Sequence, residues 1–301
     1  MKNSYLLLSF LIIAFSVNSQ NIVVYDSINN QALPYVAVLY GETGIYSDEN
    51  GVFNLTEITT DSLTIKFFGY ERIEVATKNL KDTLFINPSP QELAQVVIKN
   101  KYKEIIVKQP KKSRSLGSCI AAKEMEIILI AKPKKELINT LIKELSIKIN
   151  KLIKFDLPDD FNKKEVLANI RINIYTVRDS LPIQKIYSSI PKIINVLNDN
   201  VVIINIKDEF IKLPKEGLGF SIEFIGFRNP NNLLILDYKF IRPGLTKTRI
   251  FGELLDVKTY LSYPLNNKME YISIEEFNKQ NWPGNTKNFG KNLIIGFVFL
   301  K

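Results

Sequence analysis

The chain has 301 residues, 46% of them hydrophobic and 24% charged, with 40 Lys and Arg against 31 Asp and Glu for a formal net charge of +9. That balance fits a folded protein and excludes wholesale disorder. There is no histidine and a single cysteine, Cys119, which excludes a His-based zinc site, a Ser-His-Asp triad, an intramolecular disulfide and a multi-cysteine metal site within one chain.

Residues 1–19 read as a signal peptide: Lys2, an apolar run over 5–15, then small or polar residues up to Ser19, with cleavage expected before Gln20. The run is shorter than the roughly 20 apolar residues that a spanning helix needs, so no transmembrane segment is expected in the mature chain. The protein is therefore expected to be exported, to the periplasm or to an outer-membrane-associated or cell-surface position.

Residues 20–98 read as a first domain built of short strands. Candidates are 22–25 and 34–40, the second nearly all apolar, with Pro34 at its start where a missing N–H is tolerated. Asp48, Asn50 and Gly51 then mark a tight turn before Phe53 and Leu55 begin to alternate with polar neighbours. Leu63, Ile65 and Phe67 alternate in the same way, Gly69-Tyr70 ends that strand, and further strands are expected at 73–75, 84–86 and 96–98. Seven or so short strands with frequent turns indicate a small β-sandwich.

The order Leu33-Pro34-Tyr35-Val36, Asp48-Glu49-Asn50-Gly51-Val52-Phe53, Gly69-Tyr70 and Val96-Val97 resembles the carboxypeptidase-like regulatory domain over residues 21–98. The resemblance implies a transthyretin-like, seven-stranded sandwich that accompanies other modules in exported bacterial proteins and brings no catalytic residue. Tyr46-Ser47 and Phe67-Phe68 depart from the family's usual residues at their positions. A TonB-dependent receptor, whose N-terminal extension such a domain often forms, is not expected. The residues after Arg114 are too few for a plug and a barrel of about 22 strands at roughly ten residues each. Asp48, Asn50, Gly51 and Glu57 also match part of a calcium-loop pattern. Tyr46 stands where the first carboxylate would be, and the flanks alternate as strands, so neither a metal nor a cofactor is expected.

Residues 99–114 read as a basic linker, with six Lys and one Arg against Glu104. Most of the net charge is thus local, interleaved with the single aromatic Tyr102, and nucleic acid is not an expected partner. Residues 115–301 read as a second, larger, jelly-roll-like β-sandwich of about nine strands, making the whole chain all-β. Candidates are 125–131, 168–175, 183–187, 201–206, 218–227, 233–238, 248–251, 259–263 and 293–300. Residues 135–155 fit helical spacing and strand alternation alike, and their second half is assigned to a strand from its surroundings.

Few residues suggest chemistry. Asp159-Asp160 is an adjacent carboxylate pair, but neighbours on an extended chain point opposite ways, so a solvated loop is expected. Cys119 is expected as a small buried hydrophobe. Tyr260, Tyr263 and Trp282, with Phe289 nearby, form a candidate ligand platform for a sugar or peptide, set against the ordinary role of aromatics in a core. Asp61-Ser62-Leu63, Asp82-Thr83-Leu84 and Asp179-Ser180-Leu181 resemble the tripeptide that some Gram-negative bacteria O-glycosylate on exported proteins. The expected function is that of a non-catalytic envelope protein that binds a protein or glycan or scaffolds an assembly. The alternative is a carbohydrate-active hydrolase whose two carboxylates remain unpaired in the sequence.

Overall fold

The computed structural model describes residues 20–301 apart from 57, 90–101, 108–116, 119–124, 151–165, 229–233, 236–240, 248–250, 252, 267–269 and 282–290. The chain divides into two compact units that meet between Ser89 and Pro90.

The first unit holds β1 (Asn21–Asp26), β2 (Ala37–Tyr40), β3 (Thr43–Tyr46), β4 (Val52–Asn54), β5 (Ser62–Lys66), β6 (Ile73–Ala76) and β7 (Thr83–Ile86). They form a three-stranded sheet, β4-β1-β7, and a four-stranded sheet, β3-β2-β5-β6. Ile22, Val24, Phe53 and Ile86 from one sheet meet Val38, Leu63 and Ile65 from the other in a single apolar core. This is the seven-stranded sandwich expected from the sequence. Gly51 makes the turn before β4: its φ is +75°, and a Cβ there would lie 2.8 Å from the Leu33 carbonyl oxygen and 3.1 Å from that of Val24. Only glycine accepts that backbone and that approach. The expected strand over 34–40 is shorter than its apolar run, because Tyr35 turns to φ +57° and donates its N–H to the Asp48 carbonyl, leaving pairing to begin at Ala37. The expected strand at 96–98 lies outside the described residues.

The second unit holds β8 (Glu104–Val107), β9 (Gly117–Ser118), β10 (Glu126–Pro133), β11 (Leu141–Asn150), β12 (Leu167–Arg178), β13 (Leu181–Ser188), β14 (Lys192–Asn195) and β15 (Val201–Asn205). It continues with β16 (Leu218–Arg228), β17 (Leu234–Ile235), β18 (Arg242–Lys247), β19 (Leu255–Ser262), β20 (Ile272–Ser273), α1 (Ile274–Asn281), β21 (Lys291–Leu293) and β22 (Ile295–Leu300). An eight-stranded sheet runs β13-β12-β16-β10-β19-β20, with β14 on β12 and β17 on β16. A seven-stranded sheet runs β21-β18-β11-β22-β8, with β15 on β11 and β9 on β18.

One core joins the two sheets. Ile127 and Leu129 of β10, Ile170 to Ile174 at alternate positions of β12, and Phe220 to Phe224 of β16 pack with Leu145 and Ile147 of β11 and Phe297 and Phe299 of β22. Phe220 meets Phe297 edge to face across the layers, ring centroids 4.9 Å apart. A buried polar link also crosses: Thr259 Oγ1 donates to Asn292 Oδ1 at 2.9 Å and accepts the Leu293 N–H at 3.0 Å. Each large apolar side chain sunk in this layer contributes about 1.5–3 kcal/mol.

The all-β, two-layer architecture is as expected; some boundaries differ. The ambiguous segment resolves as a 3-10 turn over Lys135–Leu137 followed by one strand from Leu141, because alternation of Leu145, Ile147 and Ile149 inward wins once a partner sheet exists. Inside the segment read as linker, Glu104–Val107 pairs with β22. Asp179 and Ser180, at φ +52° and +64°, form the two-residue hairpin between β12 and β13. Helix α1 was not foreseen. Asp159-Asp160 and Cys119 lie outside the described residues.

Candidate functional site

An alternating strand on a sandwich usually turns its polar set to solvent. On β12 the apolar Ala168, Ile170, Ile172 and Ile174 face the core, yet Asn169, Arg171, Asn173 and Tyr175 on the opposite side are buried as well. The outer face of the eight-stranded sheet is therefore a second, polar interior.

Register extends that face across the sheet. Arg171 lies opposite Glu223 on β16, Glu223 opposite Glu126 on β10, and Glu126 opposite Ser262 on β19. Cross-strand partners share a face, so these four side chains form one row. The β19–β20 register, Tyr260 with Ser273 and Leu261 with Ile272, continues the row to Tyr271 just before β20. The next row holds Asn173, Ser221, Ile128 and Tyr260.

The bonds within the face are dense on one side of Glu126. Asn173 Nδ2 donates to Glu126 Oε1 and to Glu223 Oε2, each at 2.7 Å, and its own Oδ1 accepts from Ser188 Oγ at 2.7 Å. Ser221 Oγ donates to Glu126 Oε1. The Tyr175 hydroxyl is 2.8 Å from both oxygens of Glu126. Glu223 lies 3.6 Å from Arg171 Nη1 and 3.8 Å from Lys185 Nζ, and Lys185 also sits over the Tyr175 ring. On the other side of Glu126 the bonding stops. Its Oε2 shares only the Tyr175 hydroxyl, and Ser262 Oγ is buried with no hydrogen-bond partner among the described residues.

Burial pushes the Glu126 carboxyl above the usual carboxylate range, and the neighbouring Glu223 adds to that; Lys185, Ser221 and Asn173 pull the other way. Burial, then the two carboxylates, hold the Tyr175 phenol well above its ordinary value. Tyr271 is pushed up to about 12 by burial and by Glu126. The upward direction for Glu126 follows from its 0% exposure and from ion pairs that go to Glu223 and not to it.

The residues proposed from sequence separate. Tyr260 is buried on the polar face with Ile128, Ile130 and Tyr175, and Lys258 Nζ lies 5.0 Å from its ring centre. Tyr263 packs against the main core. Trp282 and Phe289 lie outside the described residues. Asp48 Oδ1 is occupied by the N–H groups of Asn50 and Val52, both at 2.8 Å, so it serves its own turn. Glu126 and Glu223 were missed. The signal available was a single carboxylate inside each of two largely apolar runs, 125–131 and 218–227.

Residues 23–98 match the family model of the CarboxypepD_reg-like domain. No curated protein matches the chain. Among solved structures it is similar to the cysteine protease and lectin-like domains of Cwp84, a surface layer associated protein of Clostridium difficile. The identity is 12% and the TM-score 0.33, over 59% of this chain and 32% of that one, so the chain spans about a third of that protein's length.

Proposed function

We propose that the chain is a non-catalytic protein of the cell envelope, exported to the periplasm or the cell surface, in which the small regulatory-like sandwich accompanies a larger sandwich that binds an envelope protein or glycan or scaffolds an assembly. The observation that supports the absence of catalysis is the position of Asn173. Glycoside hydrolysis needs the scissile bond to lie between two carboxyl groups. Here one amide nitrogen bonds both Glu126 and Glu223 and fills that place. The match of residues 23–98 to a regulatory-like domain supports the same reading, and the apolar run after Lys2 supports export.

The purified chain, incubated with envelope glycans and peptides, is expected to release no product. Release that disappears in Glu223→Gln, with the fold retained by circular dichroism, would overturn the reading and make Glu126 and Glu223 a hydrolytic pair. Fractionation of expressing cells is expected to place a chain beginning at Gln20 in the envelope.

A further inference from the structure

The geometry points to a binding site for a saccharide hydroxyl between Glu126 Oε2 and Ser262 Oγ, on the β20 side of the eight-stranded sheet. This rests on the reading of the chain as a binding protein and names the class of ligand.

Three observations converge on the place. First, the bonding of Glu126 is lopsided: among the described residues, Oε1 receives Asn173, Ser221 and Tyr175, whereas Oε2 has only a share of the Tyr175 hydroxyl. Second, Ser262 is fully buried and has no hydrogen-bond partner among the described residues, and the β10–β19 register sets it beside Glu126 on the same face. A buried hydroxyl without a partner is uncommon in folded proteins and calls for a group that completes it. Third, two phenol rings flank the gap. Tyr260 is in the adjacent row and Tyr271 continues the row of Glu126 and Ser262, half-buried at the strand that ends the sheet path.

The donor set selects the ligand. The Glu223 carboxylate repels an anion, and Arg171 and Lys185 already offset its charge, which weakens the pull on a cation. Glu126 Oε2 needs a donor, Ser262 can both donate and accept, and tyrosine rings suit the C–H face of a sugar while their hydroxyls suit its edge. A neutral ring with several hydroxyls meets all of these at once.

The test is titration calorimetry of the full chain with methyl glycosides of glucose, galactose, mannose and N-acetylglucosamine, and separately with calcium chloride. At least one glycoside is expected to bind, with affinity reduced tenfold or more in both Ser262→Ala and Tyr271→Leu. Ser262→Ala is expected to melt at or above the wild-type temperature, because it removes a buried hydroxyl that bonds nothing. A melting temperature lowered by several degrees would mean that the hydroxyl is part of the fold, and would overturn the site. So would binding that both variants leave unchanged, although the protein would then still be a glycan binder. Calcium binding lost in Ser262→Ala would replace the saccharide by a cation. No binding of any glycoside would overturn the inference and leave a protein partner as the function, whereas product release would overturn the non-catalytic reading itself.

Discussion

The Tyr70 hydroxyl donates to Asp26 Oδ2 at 2.7 Å, joining the Gly-Tyr turn after β5 to the end of β1, 44 positions earlier. Asp26 Oδ1 meanwhile accepts the N–H groups of Ile28 and Asn29 at 2.7 and 3.1 Å, so one carboxylate organises the turn after β1 and anchors a second one. Gly69 at φ +83° turns the chain so that the ring reaches it, packed against Phe67. Tyr70→Phe keeps the ring and removes the bond. The melting temperature of the small sandwich is expected to fall by roughly 4–8 °C, the change that about 1 kcal/mol produces in a domain of its size. Thermal scans of the two proteins measure it.

The same pair sets a pH response. Asp26 is held below the ordinary carboxylate range by the Tyr70 hydroxyl and the Ile28 N–H. A carboxyl lowered by folding stabilises above its unfolded pKa, and that contribution is lost as pH falls through the folded value. Tyr70 is pushed up from 10.0 to about 12 by burial and by Asp26. A phenol raised by folding contributes fully below 10.0, and its contribution is lost as pH rises to about 12. Stability of the small unit is expected to decline across that alkaline window, and Tyr70→Phe is expected to flatten the decline. Melting temperatures recorded from pH 9 to 12 decide it.

Gly51→Ala places a methyl group against two backbone carbonyls that belong to the fold's own turn and strand, in a left-handed conformation. Neither obstacle is a movable side chain. The loss is expected to exceed about 1 kcal/mol, more than the usual difference between glycine and alanine. Denaturant unfolding, with a lower midpoint at an unchanged m-value, measures it.

Arg171→Met is expected to cost about 3–5 kcal/mol, since it leaves Glu223 buried beside one partly exposed lysine. The double variant Arg171→Met with Glu223→Gln is expected to recover much of that loss, because it removes the charge that was stranded. Equal destabilisation of the single and double variants, by urea unfolding, would show that the ion pair is not what holds the row.

The small sandwich was legible because its constraints are local. Asp48, Gly51 and Gly69 each demand a particular backbone within a few residues, and the alternating Leu63 and Ile65 show which side is core. Helix α1 was legible too, and overlooked: Ser273 with Glu276 three residues later is a helix-start pattern, and the Glu276 N–H does bond Ser273 Oγ. The polar row was not legible as a site. Glu126 and Glu223 come together only through pairing of β10 with β16, and nothing near either residue records that register. Asn169, Arg171 and Asn173 looked like the wet side of a strand because alternation fixes which residues share a face but not what that face meets.

β22 lies between β11 and β8, pairing Phe297 with Leu145 on one side and with Val107 on the other. A ribosome makes this inner strand after both of its neighbours. β8 and β11 therefore cannot be joined in one sheet until residues 295–300 have been made. Contacts that distant in sequence are slow to form. The larger unit is thus built to fold only once β22 has been made, and removal of residues 295–300 would split a sheet in two.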